Sequence, residues 1–172
     1  VSLSANLRYT IKGGELVRLQ EELDYVDRYI LLQKTRLGGR LEVTKKINPK
    51  VNLAVIPKIS IQMLVENAII HGMPENGAVL HIIIRVCMEN NRLLISVYDD
   101  GKGILPEKVK ELNDIFSGKS ADTGNSIGLP NLASRLKILY QGEAGLFLES
   151  QGDQFTEVKM ELPIRKRGNE NV

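Results

Sequence analysis

Residues 79–98 constrain the fold more than any other stretch. Val79–Met88 and Arg92–Tyr98 are both rich in Ile, Val and Leu, and only Glu89-Asn90-Asn91 separates them. A polar joint this short closes an antiparallel hairpin, because a parallel connection needs about a dozen residues or more. Helical patterns stand on both sides of the hairpin, and further short strands precede and follow them. The sheet is therefore mixed and largely antiparallel, with helices available to cover one face.

The remaining pattern agrees with this. Residues 1–14 read as the tail of a preceding helix (Leu3, Leu7, Ile11), broken at Gly13-Gly14. A long helix is predicted from Glu15 to about Leu37, with Leu16, Leu19, Leu23, Val26, Ile30 and Leu37 on alternating three- and four-residue steps and Gln33 as the one polar member. Gly38-Gly39 ends it. The heptad-like seam is short for a coiled coil and is expected to dock on the body of the domain rather than on a second copy. Leu41–Ile47 alternates as a strand, and residues 51–56 form a short strand or an extended lead. Pro106 opens a helix through about Ile115, and residues 116–127 lack periodicity and read as a mobile loop. Leu129–Tyr140 is helical again. Leu146–Ser150 and Thr156–Ile164 close the chain as a hairpin turned at Gln151-Gly152-Asp153-Gln154, and residues 165–172 are a solvated tail. The predicted architecture is a two-layer α/β sandwich, divided into residues 1–14, a helix over 15–40, a domain over 41–164 and the tail.

The apolar run Ile56, Ile59, Ile61, Met63, Leu64, Val65, Ala68, Ile69 is too long and too helical in spacing for a strand. Pro57 suits a first helical position and Gly72 a stop. Asn67 inside this helix costs about 0.5 kcal/mol against alanine on propensity alone. Glu66 lies beside it and His71 four residues on, one turn along the same face. One reading is a solvated stripe on an amphipathic helix. The other is a site with a carboxylate, an amide oxygen and an imidazole.

The chain has 172 residues, room for one domain with a sizeable core and an appendage. A net charge of +2 gives no argument for nucleic acid or a membrane surface. The single cysteine, Cys87, excludes an internal disulfide, and no apolar run approaches the length of a membrane span. The piece reads as soluble and intracellular, not membrane-inserted, and as part of something larger. A phosphate-cradling Gly-x-x-x-x-Gly-Lys-Ser/Thr is missing, as are Gly-x-Ser-x-Gly and any metal-spaced Cys/His cluster. With two histidines in the chain, a zinc site is improbable on numbers.

Asp99, Gly101 and Gly103 follow the hairpin. A carboxylate at a strand end accepts from the exocyclic amino group of a planar heterocycle, and glycines allow backbone to approach a ligand closely. Gly124 and Gly128 flank the start of the last helix, where backbone N–H groups and the helix dipole favour a polyphosphate.

In order, Glu66-Asn67-Ala68-x-x-His71-Gly72, Asp99-x-Gly101-x-Gly103 and Ser126-Ile127-Gly128-Leu129-Pro130-Asn131 resemble the asparagine box and two glycine boxes of GHKL ATP-binding domains. Further features are similar to the LytS/YehU-type sensor histidine kinases. They are Glu21-Glu22-Leu23-Asp24-Tyr25-Val26 with Tyr29 and Gln33, the run from Ile56-Pro57 to Ala68, and Asn131 with Arg135-Leu136. The resemblance spans residues 3–163 and implies a Bergerat-type fold, with ATP and Mg²⁺ as ligands. It implies Asn67 as Mg²⁺ ligand, Glu66 as general base or orienter, and His71 near the phosphates. It implies Asp99 on the adenine amino group, with Gly101 and Gly103 lining the base. Residues 116–127 would be an ATP lid containing Gly124, closing on Gly128 and Leu129, with Asn131 and Arg135 in the helix that follows. Thr156 matches a threonine near adenine, although Phe155 stands where the family usually has glycine.

The implied function is the catalytic domain of a two-component histidine kinase, transferring the γ-phosphate of Mg-ATP to a histidine in an upstream dimerisation domain. No histidine precedes Gly13, so the phosphoacceptor is absent from this stretch. The implied partners are that domain, a response regulator and a second copy of the full-length protein, with no nucleic acid. The implied location is cytoplasmic, in a full-length protein anchored in the cell membrane. A GHKL clamp ATPase, in which Glu66 activates water, and a non-catalytic nucleotide-binding module are the alternatives.

Overall fold

The computed structural model of the chain describes residues 15–51, 53–120 and 128–164. The elements in order are β1 (Leu16–Arg18), α1 (Leu19–Leu37), β2 (Leu41–Ile47), a single 3₁₀ turn (Pro49–Val51), β3 (Val55–Pro57), α2 (Ser60–Gly72), β4 (Leu80–Glu89), β5 (Arg92–Asp99), α3 (Pro106–Ser117), α4 (Gly128–Leu139), β6 (Gly145–Gln151) and β7 (Phe155–Pro163). Five strands form one sheet in the order β2-β4-β5-β7-β6. Only β2 and β4 run parallel; the other three pairings are antiparallel. The helices cover one face, so the predicted two-layer sandwich is what the chain forms.

The hairpin at its centre closes through Asn90 and Asn91, both in the left-handed region (φ 48° and 60°), with Glu89 paired to Arg92. Two consecutive positive φ values match the right-handed twist of the strands, and asparagine tolerates them better than most residues. Alternate residues of the strands point into the core: Leu80, Ile82, Ile84 and Val86; Leu93, Ile95 and Val97; Val158, Met160 and Leu162. The opposite face is dressed with ion pairs such as Arg85–Glu157 and Lys159–Glu149.

The predicted seam of α1 enters the same core through Leu19, Leu23, Val26 and Ile30. Docking against the body of the domain is therefore its use. The helix starts later than its periodicity suggests. Leu16 belongs to β1, which pairs antiparallel with β3, and Leu19 N–H is held by the Ala54 carbonyl. Pro57 is likewise not a first helical residue: it ends β3, and α2 begins at Ser60 after Ile59, whose φ is 64°. A β-branched residue in the left-handed region costs about 1–3 kcal/mol and persists only where surrounding contacts compel it.

Helix α3 continues past Ile115 to Ser117, and Gly118 ends it in the left-handed conformation. Phe116, expected in a mobile loop, is 3% exposed and packed in the core. The expectations for residues 1–14, 121–127 and 165–172 lie outside the described residues.

Candidate functional site

Helix α2 is wedged between the sheet and α1, and one flank remains uncovered. Ile61, Leu64, Val65, Ala68 and Ile69 fill the core. Glu66, Asn67, Ile70 and His71 emerge on the other side, as the 100° step per residue requires. Together with Met63 they line a cavity of ≈ 690 Å³, within the size range of small-molecule sites. Gly128, Leu129, Pro130 and Asn131, the first residues of α4, also line it, as do Lys108 and Leu112 from α3. Ile104 and Leu148 supply further apolar wall.

Tyr29 of α1 reports on Glu66 from behind. Its hydroxyl is pushed up to about 12, first by burial and then by the negative charge of Glu66, with Arg36 opposing. The phenol thus stays protonated near that carboxylate.

A second cluster sits at the end of β5. Asp99 is 2% exposed and pairs in register with Thr156 of β7, which stands opposite Ser150 of β6. The Ser150 and Thr156 hydroxyls are 3.1 Å apart, and Ser150 also accepts from Ile104 N–H at 2.8 Å. Burial pushes the Asp99 carboxyl up to about 7; the Gly101 N–H, 3.1 Å from Oδ1, opposes the rise, and neighbouring Asp100 adds to it. Asp99 lies against the end of α2, where a Cβ on Gly72 would come 2.5 Å from Oδ1.

Gly101 and Gly103 have reasons internal to the protein. A Cβ on Gly101 would collide with the backbone of Gly72. Gly103 has φ 63°, and a side chain there would strike the Gln151 carbonyl. The close approach these residues permit is between the Asp99 loop and its own neighbours, and it locks that loop to α2 and to the β6–β7 turn. Lys102 N–H to the Gly72 carbonyl and Asp153 N–H to the Lys102 carbonyl complete the lock.

The predicted residues therefore fall into groups. Glu66, Asn67, His71, Gly128, Leu129 and Asn131 share the cavity. Asp99, Gly101 and Thr156 form a buried cluster that does not line it and is linked to its wall through Ser150 and Ile104, with Gly103 against the β6–β7 turn. Arg135 does neither: its Nη2 donates to the Lys58 carbonyl at 2.7 Å, at the entrance to α2. Gly124 lies outside the described residues. Reasoning on motifs missed Lys108 and Leu112. Their spacing of four on an amphipathic helix opened by Pro106 is the signal that puts both on one face. Ser150 was also missed; one serine on an exposed-looking strand carries no signal.

Among the described residues, no group of three or more His, Cys, Asp or Glu could hold a metal ion. No helix among them is long and apolar enough to cross a membrane.

A family profile described as histidine kinase-, DNA gyrase B-, and HSP90-like ATPase matches residues 57–166, and one described as histidine kinase matches residues 1–41. The chain is 29% identical over 172 residues to sensor protein LytS of Bacillus anthracis, covering 99% of this chain and 29% of that protein. It is 38% identical over 143 residues to sensor histidine kinase YpdA of Escherichia coli K12, covering 81% of this chain and 24% of that protein. The chain thus spans under a third of the length of these relatives. Among solved structures, the catalytic domain of histidine kinase ThkA superposes with a TM-score of 0.59 at 18% identity, over 86% of this chain and 93% of that one. A mycobacterial sensor histidine kinase, MprB, gives 0.56 at 16% identity, over 90% of this chain and 99% of that one. These two likenesses speak to the fold.

Proposed function

The chain belongs to the histidine kinase-, DNA gyrase B- and HSP90-like ATPase family, and from that premise we propose that it binds Mg-ATP and presents the γ-phosphate to a histidine of an upstream domain. The observation that carries this reading is the convergence of Glu66, Asn67 and His71 with the N-terminus of α4 on one cavity. The donor set fits the ligands. Mg²⁺ takes few protein ligands and completes its shell with phosphate oxygens and water, so a lone amide oxygen from Asn67 would suffice where the described residues hold no carboxylate cluster. The N–H groups at the start of α4 offer positive potential for a polyphosphate, and the Lys108 ammonium, paired with Glu111 at 2.9 Å, would add to it by leaving that partner. Asp99 offers acceptor oxygens for an exocyclic amino group, and Thr156 lies beside it.

When bound, Mg-ATP supplies the phosphoryl group and the metal supplies charge neutralisation. The remaining work belongs to the chain. Asn67 and His71 hold the phosphate end, and Glu66 orients the incoming imidazole or takes its proton. The partners are the upstream dimerisation domain of the same protein, a response regulator and, in the full-length protein, a second copy. The full-length protein is anchored in the membrane, with this domain on the cytoplasmic side.

The test is incubation with labelled Mg-ATP and a separately produced upstream histidine domain. Label on that domain supports the proposal. Released phosphate without transfer favours a clamp-type ATPase, and binding without either favours a nucleotide-binding module.

A further inference from the structure

The exposed flank of α2 carries Glu66, Asn67, Ile70 and His71, and its opposite end is held in an unusual way. Ile59, at the N-cap, has no side-chain acceptor for the first-turn amides. Those amides donate to one carboxylate from elsewhere in the fold: Ile59 N–H to Glu22 Oε2 at 2.8 Å, and Ile61 and Gln62 N–H to Oε1 at 3.1 and 3.3 Å. Glu22 lies on α1 and is completely buried. A serine or aspartate at position 59 would accept locally from the Ile61 or Gln62 N–H, leaving the N–H of residue 59 itself unmet. A cap supplied by another helix does something a local cap does not, because it fixes where α2 stands relative to α1.

Two further contacts extend this tie. Arg135 of α4 donates to the Lys58 carbonyl, one residue before the capped end. Burial lowers the pKa of its guanidinium, while the charges of Glu22 and then Glu15 work against that. Helix α4 also supplies Gly128, Leu129, Pro130 and Asn131 to the far wall of the cavity. Along α1, Tyr29 lies within reach of the Glu66 charge. Both helices rise about 1.5 Å per residue, so the hydrogen bonds of Glu22 to Ile59, Ile61 and Gln62, with the Glu66 charge felt at Tyr29 further along, put α1 alongside α2 in the same direction.

We infer that Glu22 is a positioning residue for the nucleotide cavity, setting the depth and rotation of α2 and, through the Lys58 turn, the placement of α4. This rests on reading the cavity as a nucleotide site. A displacement of about 1 Å in a catalytic constellation can cost roughly a hundredfold in rate, so the seat of a rigid helix matters well beyond its cap. Coupling of this kind is reciprocal: nucleotide in the cavity must tighten the Glu22 contacts as much as those contacts favour nucleotide.

The first arm uses the unaltered chain. A non-hydrolysable Mg-ATP analogue should slow hydrogen exchange at the amides of Ile59, Ile61 and Gln62, although none of these lines the cavity. In the second arm, Glu22→Ala, at a temperature where circular dichroism shows it folded, should bind the analogue about tenfold more weakly. Glu22→Gln keeps the volume and one acceptor oxygen, and should recover affinity to within about threefold. Ile95→Val, a core change in β5, should lower the melting temperature without altering affinity. If Glu22→Ala does not fold, Glu22→Gln and the exchange arm decide. Unchanged exchange at the three amides, or wild-type affinity in folded Glu22→Ala, overturns the inference. Failure of the unaltered chain to bind the analogue overturns the nucleotide reading itself.

Discussion

Glu66, midway along α2, and Asp99, the last residue of β5, are both carboxylates, and their surroundings are opposite. Glu66 stands on a helix flank in a partly open cavity, with phenol and helix behind it. Asp99 is closed in by Gly72, Gly101 and the Thr156 strand, and is raised to about 7 because burial disfavours its charge. The first region can admit a reactant and exchange it. The second is closed, and its carboxyl already accepts from the Gly101 N–H at 3.1 Å. Under the proposed function, a site that holds a ligand in register at one end and acts on the other uses both kinds of surroundings, and the two motifs meet where Gly72 packs against Asp99 and Gly101.

The sharpest test of that division is Glu66→Gln. Transfer to the upstream histidine domain should fall by about 10²–10⁴-fold, while Mg-ATP affinity changes by less than a few tenths of a kcal/mol. Asn67→Ala should instead abolish the Mg²⁺ dependence of nucleotide binding, read by calorimetry with and without the metal. If the two substitutions weaken binding equally, the cavity does not separate chemistry from metal binding, and the base role for Glu66 falls.

The second test uses the proton on Asp99. Its folded-state pKa, about 7, lies above the unfolded value near 3.8. Between those values the unfolded chain has released a proton that the folded chain keeps, so raising the pH favours unfolding. The stabilising contribution is fully present below about pH 4 and is lost as pH rises through 7. At about 1.4 kcal/mol per unit, discounted for relaxation, the loss is about 2–4 kcal/mol. Denaturant titrations across this range should show the slope, and Asp99→Asn should flatten it. An unchanged slope in the variant means the carboxyl is not desolvated as described.

Above pH 7, where the carboxyl carries its charge, Asp99→Asn should also weaken ATP binding by about ten- to a hundredfold, the scale of about 1.5–3 kcal/mol for a hydrogen bond to a charged group. GTP should bind poorly to the unaltered protein; equal affinity for both nucleotides contradicts the assignment of Asp99 to the adenine amino group. The smallest effect compares two glycines. Gly101→Ala drives a Cβ into the Gly72 backbone and should cost about 1–3 kcal/mol of stability. Gly128→Ala meets nothing within 4 Å and should change stability by less than about 0.5 kcal/mol. Thermal melts of both variants measure the contrast directly.

Much of this was legible in the order of residues. The Asn90-Asn91 joint dictated a hairpin, the 3.6-residue spacing from Ile61 to Ile69 dictated which flank of α2 is buried, and Glu66, Asn67 and His71 were left on the flank that remains. These are local matters, decided by backbone sterics and by the period of apolar side chains, and a one-dimensional reading reaches them. Other features required the fold. Nothing in the neighbourhood of Ile59 announces a left-handed residue at the head of a helix, since its cap comes from Glu22 on another helix. Arg135 was placed with nucleotide by its position after the second glycine box, and packing turned it to the Lys58 carbonyl. Phe116 looked like loop because its partners lie elsewhere in the chain. Gly101 owes its missing side chain to Gly72 and Asp99 owes its raised pKa to burial, and both follow from three elements meeting at one point. Contacts between residues distant in sequence depend on how whole elements pack, and only the assembled tertiary structure determines them.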